Sequence, residues 1–126
     1  MAGACVLVVK DNEKNMKLVR DVLAAKGFTI LEARTGVQAV RLAWEYAPEV
    51  VLMDIRLPDI DGVEVLRRLR ADERTASIAV LALTAQAMEG DRERFLAAGF
   101  DGYLVKPVNI VQLVDIVRGY CDGERR

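Results

Sequence analysis

The sequence predicts an α/β fold in which helices cover both faces of a five-stranded parallel sheet. Strand-length apolar runs alternate with segments of helical period along the chain, which is the pattern of repeated βα units. The length of 126 residues and the hydrophobic content of 52% are typical of one compact domain with an adequate core. We therefore expect a single domain over 1–126, with a polar tail at about 122–126.

The strands are predicted from short runs that are apolar on both faces, as in parallel sheets covered by helices. The first run is CVLVV, the third is VVLM and the fourth is IAVLAL. We predict strands near 5–10, 28–33, 49–54, 78–83 and 102–105.

The helices are predicted from apolar residues at helical spacing and from residues that begin or end helices. Gly27 and Gly99 stand where the first and fourth helices should end, and Asn109 stands at the N-cap position of the fifth. We predict helices near 13–26, 36–47, 62–71, 87–98 and 109–121. Five βα units in this order predict a doubly wound sheet.

Composition excludes several classes of function. The 18 basic and 19 acidic side chains are mixed along the chain, so nothing predicts nucleic-acid binding or a polybasic membrane anchor. Histidine is absent from the sequence, which excludes histidine-based catalysis and histidine zinc sites. The two cysteines lack metal-ligand spacing, and there is no signal-peptide pattern, so we expect a cytoplasmic protein.

Polar residues follow the apolar strands at their carboxyl ends. Lys10 and Asp11 follow the first strand, Asp54 ends the third, Thr84 follows the fourth and Lys106 follows the fifth. In a doubly wound sheet these ends lie at one edge, where the crevice at the topological switch point binds ligands. The sequence therefore predicts one polar site to which four strands contribute.

These residue types suit magnesium-dependent phosphoryl chemistry. Asp11 and Asp54 supply the hard oxygen ligands that Mg²⁺ prefers, together with waters and phosphate oxygens. The Thr84 hydroxyl and the Lys106 ammonium suit the equatorial oxygens of a transferring phosphoryl group. A carboxylate in such a site can itself be the nucleophile and form an aspartyl phosphate.

A family resemblance is carried by four segments, VLVVKDNEKN, MDIRLPDIDG, ALTAQAMEGD and GFDGYLVKP. In content and spacing they resemble the CheY-like receiver domain of two-component response regulators, and they are similar to single-domain regulators of the DivK type and to receivers within hybrid kinases. The resemblance implies a flavodoxin-like sheet of strand order 2-1-3-4-5. It also implies a phosphorylation-dependent signalling switch, not an enzyme, that accepts its phosphoryl group from a histidine kinase or a histidine phosphotransferase.

Carried over position by position, the resemblance makes Asp54 the phosphoryl acceptor. Asp11, Asp54 and the backbone carbonyl of Arg56 would bind Mg²⁺. Thr84 and Lys106 would contact the phosphoryl oxygens.

Lys10 departs from the family pattern, which has two acids at the end of the first strand. Three acids at 10, 11 and 54 would carry a charge of −3, whereas Lys10 with two acids gives −1, so we expect weaker Mg²⁺ binding. An ammonium about 4 Å from a carboxylate interacts by roughly 4 kcal/mol at an effective dielectric of about 20, before desolvation is subtracted. We hypothesise that Lys10 pairs with Asp54 or Asp11 and partly substitutes for the cation; alternatively, it extends into solvent.

The predicted output surface is formed by the fourth helix, the fifth strand and the fifth helix. The fifth helix has an expected core stripe at Ile110, Leu113, Val114 and Val117. Val111, Ile116 and Tyr120 are apolar residues of this helix beyond that stripe, and such residues predict a partner surface. The resemblance makes Tyr103, on the fifth strand, the aromatic switch residue. We expect a kinase, a phosphotransferase or a protein effector to dock on this surface.

Other conspicuous residues have ordinary structural explanations. Asp59 and Asp61 are interpreted as turn residues around Pro58 and Gly62. Trp44 is expected to pack on the second helix.

Two other functions stay open at this point. In a pseudo-receiver, or in a variant locked in one state, Lys10 would impair the metal site, and the domain would be a phosphorylation-independent interaction module. A phosphatase with an aspartyl nucleophile would need a second acid two residues after Asp54, where Arg56 stands. Metal-dependent phosphorylation of Asp54 would distinguish a working switch from a pseudo-receiver.

Overall fold

The computed structural model describes residues 5–10, 13–55, 59–84, 91–105 and 110–121, with the backbone alone at 13–16, 84, 91–92, 105 and 110. Its strands are β1 (Cys5–Val9), β2 (Thr29–Ala33), β3 (Val50–Asp54), β4 (Ala79–Thr84) and β5 (Gly102–Val105). Its helices are α1 (Glu13–Ala25), α2 (Gly36–Tyr46), α3 (Gly62–Arg70), α4 (Asp91–Ala98) and α5 (Ile110–Cys121). The predicted bounds are confirmed to within one residue, except at the starts of the fourth and fifth helices, where 85–90 and the predicted N-cap Asn109 lie outside the described residues.

All five strands form one parallel sheet in the order β2-β1-β3-β4-β5, as predicted. The chain leaves β1 for β2 on one side and returns to β3 on the other side. The topological switch point therefore lies between the carboxyl ends of β1 and β3. This crevice is where a sheet of this kind binds its ligands.

A hydrophobic core lies on each face of the sheet. Helices α2 and α3 pack on one face together with Phe95 of α4, and helices α1 and α5 pack on the other. The two central strands supply both cores through alternate side chains: in β1, Leu7 and Val9 face α2 and α3, whereas Val6 and Val8 face α1 and α5. Both faces are therefore covered, as the continuous apolar runs predict.

The helices are short, and two of them end at the predicted glycines. Gly27 and Gly99 have φ of 94° and 113°, which is the left-handed region that glycine adopts without strain. After Gly99, the N–H of Phe100 donates to the carbonyl of Phe95 at 3.2 Å, and the two rings pack edge to face at 5.9 Å. In the described part of the chain no helix combines the length and the apolar character needed to span a bilayer.

Candidate functional site

Lys10 and Asp54 are neighbours at the switch point between β1 and β3. Val9 and Met53 are register partners, so the next step along both strands brings Lys10 beside Asp54. Parallel strands lie about 4.8 Å apart, and register partners direct their side chains to the same face. The backbone N–H of Lys10 donates to the carbonyl of Ala33 at 3.0 Å, so position 10 continues the path of β1. The two side chains therefore leave adjacent strands on the same face of the sheet, at the switch-point crevice.

Both charged side chains are buried. Lys10 is 3% exposed and Asp54 is 8% exposed, so the alternative in which Lys10 extends into solvent is wrong. Burying an isolated charge costs several kcal/mol. Neither residue is without an interaction partner, and among the described residues every buried side-chain nitrogen or oxygen has a hydrogen-bond partner. The pairing of Lys10 with Asp54 or Asp11 stays a prediction, which this placement favours.

The next strand ends reach the same edge of the sheet. Leu83 of β4 is the register partner of Asp54, and Thr84 follows it and pairs with Val105 of β5. The backbone of Thr84 therefore lies one step beyond Asp54 on the adjacent strand. Its hydroxyl is not among the described atoms, so its predicted contact with a phosphoryl group stays a prediction.

The described part of the site supplies one candidate metal ligand. Asp11, Arg56 and Lys106 lie outside the described residues, and their predicted roles stay predictions. Within the described ranges there is no group of three or more carboxylate, cysteine or histidine side chains that would hold a metal. The Asp54 carboxylate fits Mg²⁺, which takes one or two carboxylates and keeps several waters. The predicted weakening of Mg²⁺ binding by Lys10 stays a prediction.

Helix α3 begins directly against the backbone of Asp54. The N–H of Gly62 donates to the carbonyl of Ile55 at 2.9 Å. A Cβ atom at Gly62 would lie 3.0 Å from the carbonyl oxygen of Asp54 and 3.1 Å from the Cα of Ile55. Such distances are tighter than side chains normally allow, so glycine permits this close approach.

Asp59 makes a contact that its interpretation as a turn residue missed. Its carboxylate accepts hydrogen bonds from the backbone N–H groups of Gly36 at 2.8 Å and Val37 at 3.0 Å, at the start of α2. These two N–H groups lower the pKa of Asp59 to about 2. Asp61, by contrast, caps its own helix and accepts from the N–H of Glu64 at 2.9 Å.

A sequence signal for the Asp59 contact existed but was incomplete. The first turn of α2 contains no acidic residue, although helix N-termini favour negative charge. Thr35 caps the N–H of Gln38, which leaves other first-turn N–H groups in need of acceptors. The missing acceptor comes from 23 residues later in the chain, and local spacing cannot reveal that distance.

Tyr103 lies where β5 meets α4. Its register partner is Ala82, and its ring centroid is 6.0 Å from that of Phe95. The side chain is half-buried against the core that contains α2 and α3. The predicted switch role of Tyr103 stays a prediction.

The predicted partner surface on α5 is corrected at Tyr120. Tyr120 is 8% exposed, and its hydroxyl donates to the carbonyl of Asp101 at 3.0 Å. It continues the core stripe of Leu113 and Val117 by helical spacing, so its assignment to the surface is wrong. Ile116 is partly buried against the same core.

Val111 keeps its predicted place on the surface of α5. It is 74% exposed, the largest exposed fraction among the large hydrophobic side chains described. Leu96 of α4 is also exposed, and the sequence interpretation did not include it. The apolar surface of these two helices therefore contains Val111 and Leu96.

Comparison with known proteins identifies relatives over nearly the whole chain. The family model described as the response regulator receiver domain matches residues 6–118. The polar-differentiation response regulator DivK of Brucella ovis is 42% identical over 115 residues, which are 91% of this chain and 94% of that protein. DivK of Brucella anthropi is 41% identical with the same coverage.

Solved structures agree with these sequence matches. The receiver domain of the sensor histidine kinase PA1611 from Pseudomonas aeruginosa PAO1 is 37% identical with a TM-score of 0.88, and the match covers 96% of this chain and 99% of that one. That structure has a magnesium ion coordinated in its active site cleft. The chemotaxis response regulator CheY4 of Vibrio cholerae is 25% identical with a TM-score of 0.87, covering 94% of this chain and 98% of that one.

Proposed function

This chain belongs to the response regulator receiver domain family, and from that premise we propose that it is a phosphorylation-dependent signalling switch whose phosphoryl acceptor is Asp54. Receivers of this family interact with histidine kinases or phosphotransfer proteins in two-component signalling. The observation that carries the proposal is the carboxylate of Asp54, which is 8% exposed and ends β3 at the switch-point crevice. This is the position from which a nucleophile meets a ligand bound in such a sheet.

The proposed reaction transfers a phosphoryl group from a phosphohistidine of the partner. A carboxylate oxygen of Asp54 attacks the phosphorus, so that a P–O bond forms while the P–N bond to the imidazole breaks. Mg²⁺, when bound, would supply positive charge for the transferring oxygens. Asp54, with Asp11 and the carbonyl of Arg56, would hold that ion. The product adds roughly 1.5 to 2 negative charges to the crevice.

The proposed output is a protein contact without further turnover of a substrate. Added charge at Asp54 would bias the face built from α4, β5 and α5. Val111 supplies exposed apolar surface there, and Tyr103 of β5 is partly buried against the core that contains α2 and α3. We propose that the kinase, the phosphotransferase or an effector docks on this face.

The second candidate function is a pseudo-receiver, and the buried Lys10 favours it. Lys10 is 3% exposed, so solvent screens its charge poorly, and it follows the strand next to that of Asp54. If it excludes the divalent ion, Asp54 would not turn over phosphate. The domain would then bind partners in one fixed state.

Acetyl phosphate distinguishes the two candidates. The chain, Lys10→Asp and Asp54→Ala would be incubated with acetyl phosphate and Mg²⁺, and parallel samples would contain a chelator. We expect intact mass spectrometry to detect one added phosphoryl group on the first two proteins, dependent on Mg²⁺ and absent from Asp54→Ala. A mass gain in Lys10→Asp alone would instead identify a pseudo-receiver. A gain that persists in Asp54→Ala would contradict the assignment of the acceptor.

A further inference from the structure

We propose that Asp59 couples the state of Asp54 to helix α2, so that α2 responds when the acceptor is phosphorylated. This coupling rests on the proposed function, because it needs Asp54 to change state. It adds a second responding element to the face of α4, β5 and α5. Asp59 is a positioning residue in this inference and takes no part in the chemistry.

Residues 59–62, which follow Asp54 along the chain, are attached to the start of α2. Asp59 follows Asp54 by five residues, and its two carboxylate oxygens accept the N–H groups of Gly36 and Val37 at 2.8 and 3.0 Å. A charged acceptor makes stronger hydrogen bonds than a neutral one. The carboxylate also supplies the negative charge that the first turn of α2 lacks.

Residues 59–62 pack closely against the start of α2. A Cβ atom at Gly36 would overlap the side chain of Ile60 and would lie 2.8 Å from Cγ2 of Val65. Ile60 is the neighbour of Asp59, so the same short segment is both hydrogen-bonded and closely packed against the start of α2. Closely packed groups of this kind shift together because they do not compress.

Residues 59–62 also contact the backbone at the acceptor. The N–H of Gly62 donates to the carbonyl of Ile55, the residue after Asp54, at 2.9 Å. The Cα of Gly62 also approaches the Asp54 carbonyl so closely that a Cβ atom would lie 3.0 Å from it. A displacement of the Asp54 backbone therefore also displaces residues 59–62. The hydrogen bonds of Asp59 transmit this displacement to α2.

Trp44 provides a reporter on the responding helix. It is the only tryptophan of the chain, and it lies on α2 two turns beyond Val37. The guanidinium of Arg74 lies 5.3 Å from the centre of its ring. A shift of α2 relative to the segment that carries Arg74 would change this contact and the emission of Trp44.

The test compares Trp44 emission with phosphoryl occupancy in the same samples. The chain, Asp59→Ala and Glu64→Gln would be treated with acetyl phosphate and Mg²⁺, and occupancy would be read by intact mass. Glu64 is a matched control because its pKa is also lowered to about 2, but by Arg67 and Arg68 on its own helix. We expect phosphorylation to change Trp44 emission in the chain and in Glu64→Gln. At equal phosphoryl occupancy, the change in Trp44 emission in Asp59→Ala should be less than half as large.

A second measurement uses only the unsubstituted chain, so it does not require Asp59→Ala to fold. Hydrogen exchange of the first-turn amides of α2 would be compared in the phosphorylated and unphosphorylated chain, with an expected change of about fivefold or more. Phosphorylation that leaves both the exchange of these amides and the emission of Trp44 unchanged would overturn the coupling. Full retention of the emission change in Asp59→Ala would overturn the role of Asp59. A chain that gains no phosphoryl group would overturn the proposed function, and the coupling with it.

Discussion

At the scale of single residues, Lys10 is predicted to weaken the attraction of the crevice for Mg²⁺. The side chains at 10, 11 and 54 carry −1 as they stand, and Lys10→Asp would change their sum to −3. Because Lys10 is buried one strand from Asp54, its charge is poorly screened. We expect Lys10→Asp to bind Mg²⁺ about tenfold more tightly or better, which corresponds to ~1.4 kcal/mol.

Isothermal titration with Mg²⁺ measures this effect without any phosphoryl transfer. Lys10→Met is the matched control, since methionine is similar in length but carries no charge. Its affinity should fall between those of the chain and Lys10→Asp. If all three proteins bind Mg²⁺ equally, Lys10 does not weaken the metal site.

The hydrogen bonds of Asp59 are expected to stabilise the fold less in acid. Its pKa is about 2 in the folded chain because the N–H groups of Gly36 and Val37 hydrogen-bond its charged form, whereas an unfolded aspartate has a pKa of about 3.9. The folded pKa is the lower one, so this contribution is present above about pH 4 and is lost as the pH falls through about 2. Thermal unfolding of Asp59→Asn should therefore depend less steeply on pH between about 4 and 2. Parallel curves for the two proteins would contradict this expectation.

Lys10 and Asp59 differ in how far the sequence could predict their positions and contacts. The position of Lys10 followed from the apolar run before it and from the resemblance. Its burial did not follow, because a lysine stem can lie along apolar surface with its charge in water. The role of Asp59 was missed because its hydrogen bonds join segments 23 residues apart, and only the fold brings these together.

At the scale of helices and strands, α2 ends in a strained conformation. Ala47 has φ of 47° and its N–H donates to the carbonyl of Ala43 at 2.9 Å. A left-handed conformation costs a residue with a Cβ atom roughly 1 to 2 kcal/mol, and glycine avoids most of this cost. We expect Ala47→Gly to raise the free energy of unfolding by about 0.5 to 1 kcal/mol.

Urea denaturation of Ala47→Gly would be compared with that of Ala24→Gly. Ala24 lies in the last turn of α1, in helical conformation, where glycine costs up to about 1 kcal/mol relative to alanine. Both substitutions replace alanine by glycine, and their effects on the free energy of unfolding should have opposite signs. If both lower the free energy of unfolding equally, the backbone at Ala47 is not strained in solution.

Helix faces were harder to predict than helix positions. The bounds of α5 followed from its spacing, and Leu113, Val114 and Val117 were correctly interpreted as its core stripe. Tyr120 was left off that stripe because an aromatic residue near a helix end fits a surface as well as a core. The carbonyl of Asp101, which satisfies its hydroxyl, comes from another part of the chain.

At the scale of the whole molecule, the two cores share one sheet. Alternation along a buried strand predicts that its side chains face both ways, but it does not say which helix covers which face. The resemblance supplied the strand order 2-1-3-4-5, which the structure has. Because β1 and β3 contribute to both cores, loss of packing on one face removes support for the strands that the other face needs.

This shared sheet predicts that the two faces unfold together. Leu113 of α5 is buried in the core formed with α1, whereas Trp44 lies on α2, over the opposite face. We expect Leu113→Ala to lower the free energy of unfolding by about 2 to 5 kcal/mol. The unfolding midpoint in urea should shift equally whether it is read by Trp44 emission or by far-ultraviolet circular dichroism.

The exposed Leu18 is the control, since Leu18→Ala should change stability by less than about 0.5 kcal/mol. A Trp44 midpoint that stays fixed in Leu113→Ala, while the circular dichroism midpoint falls, would mean that the sheet does not couple its two cores.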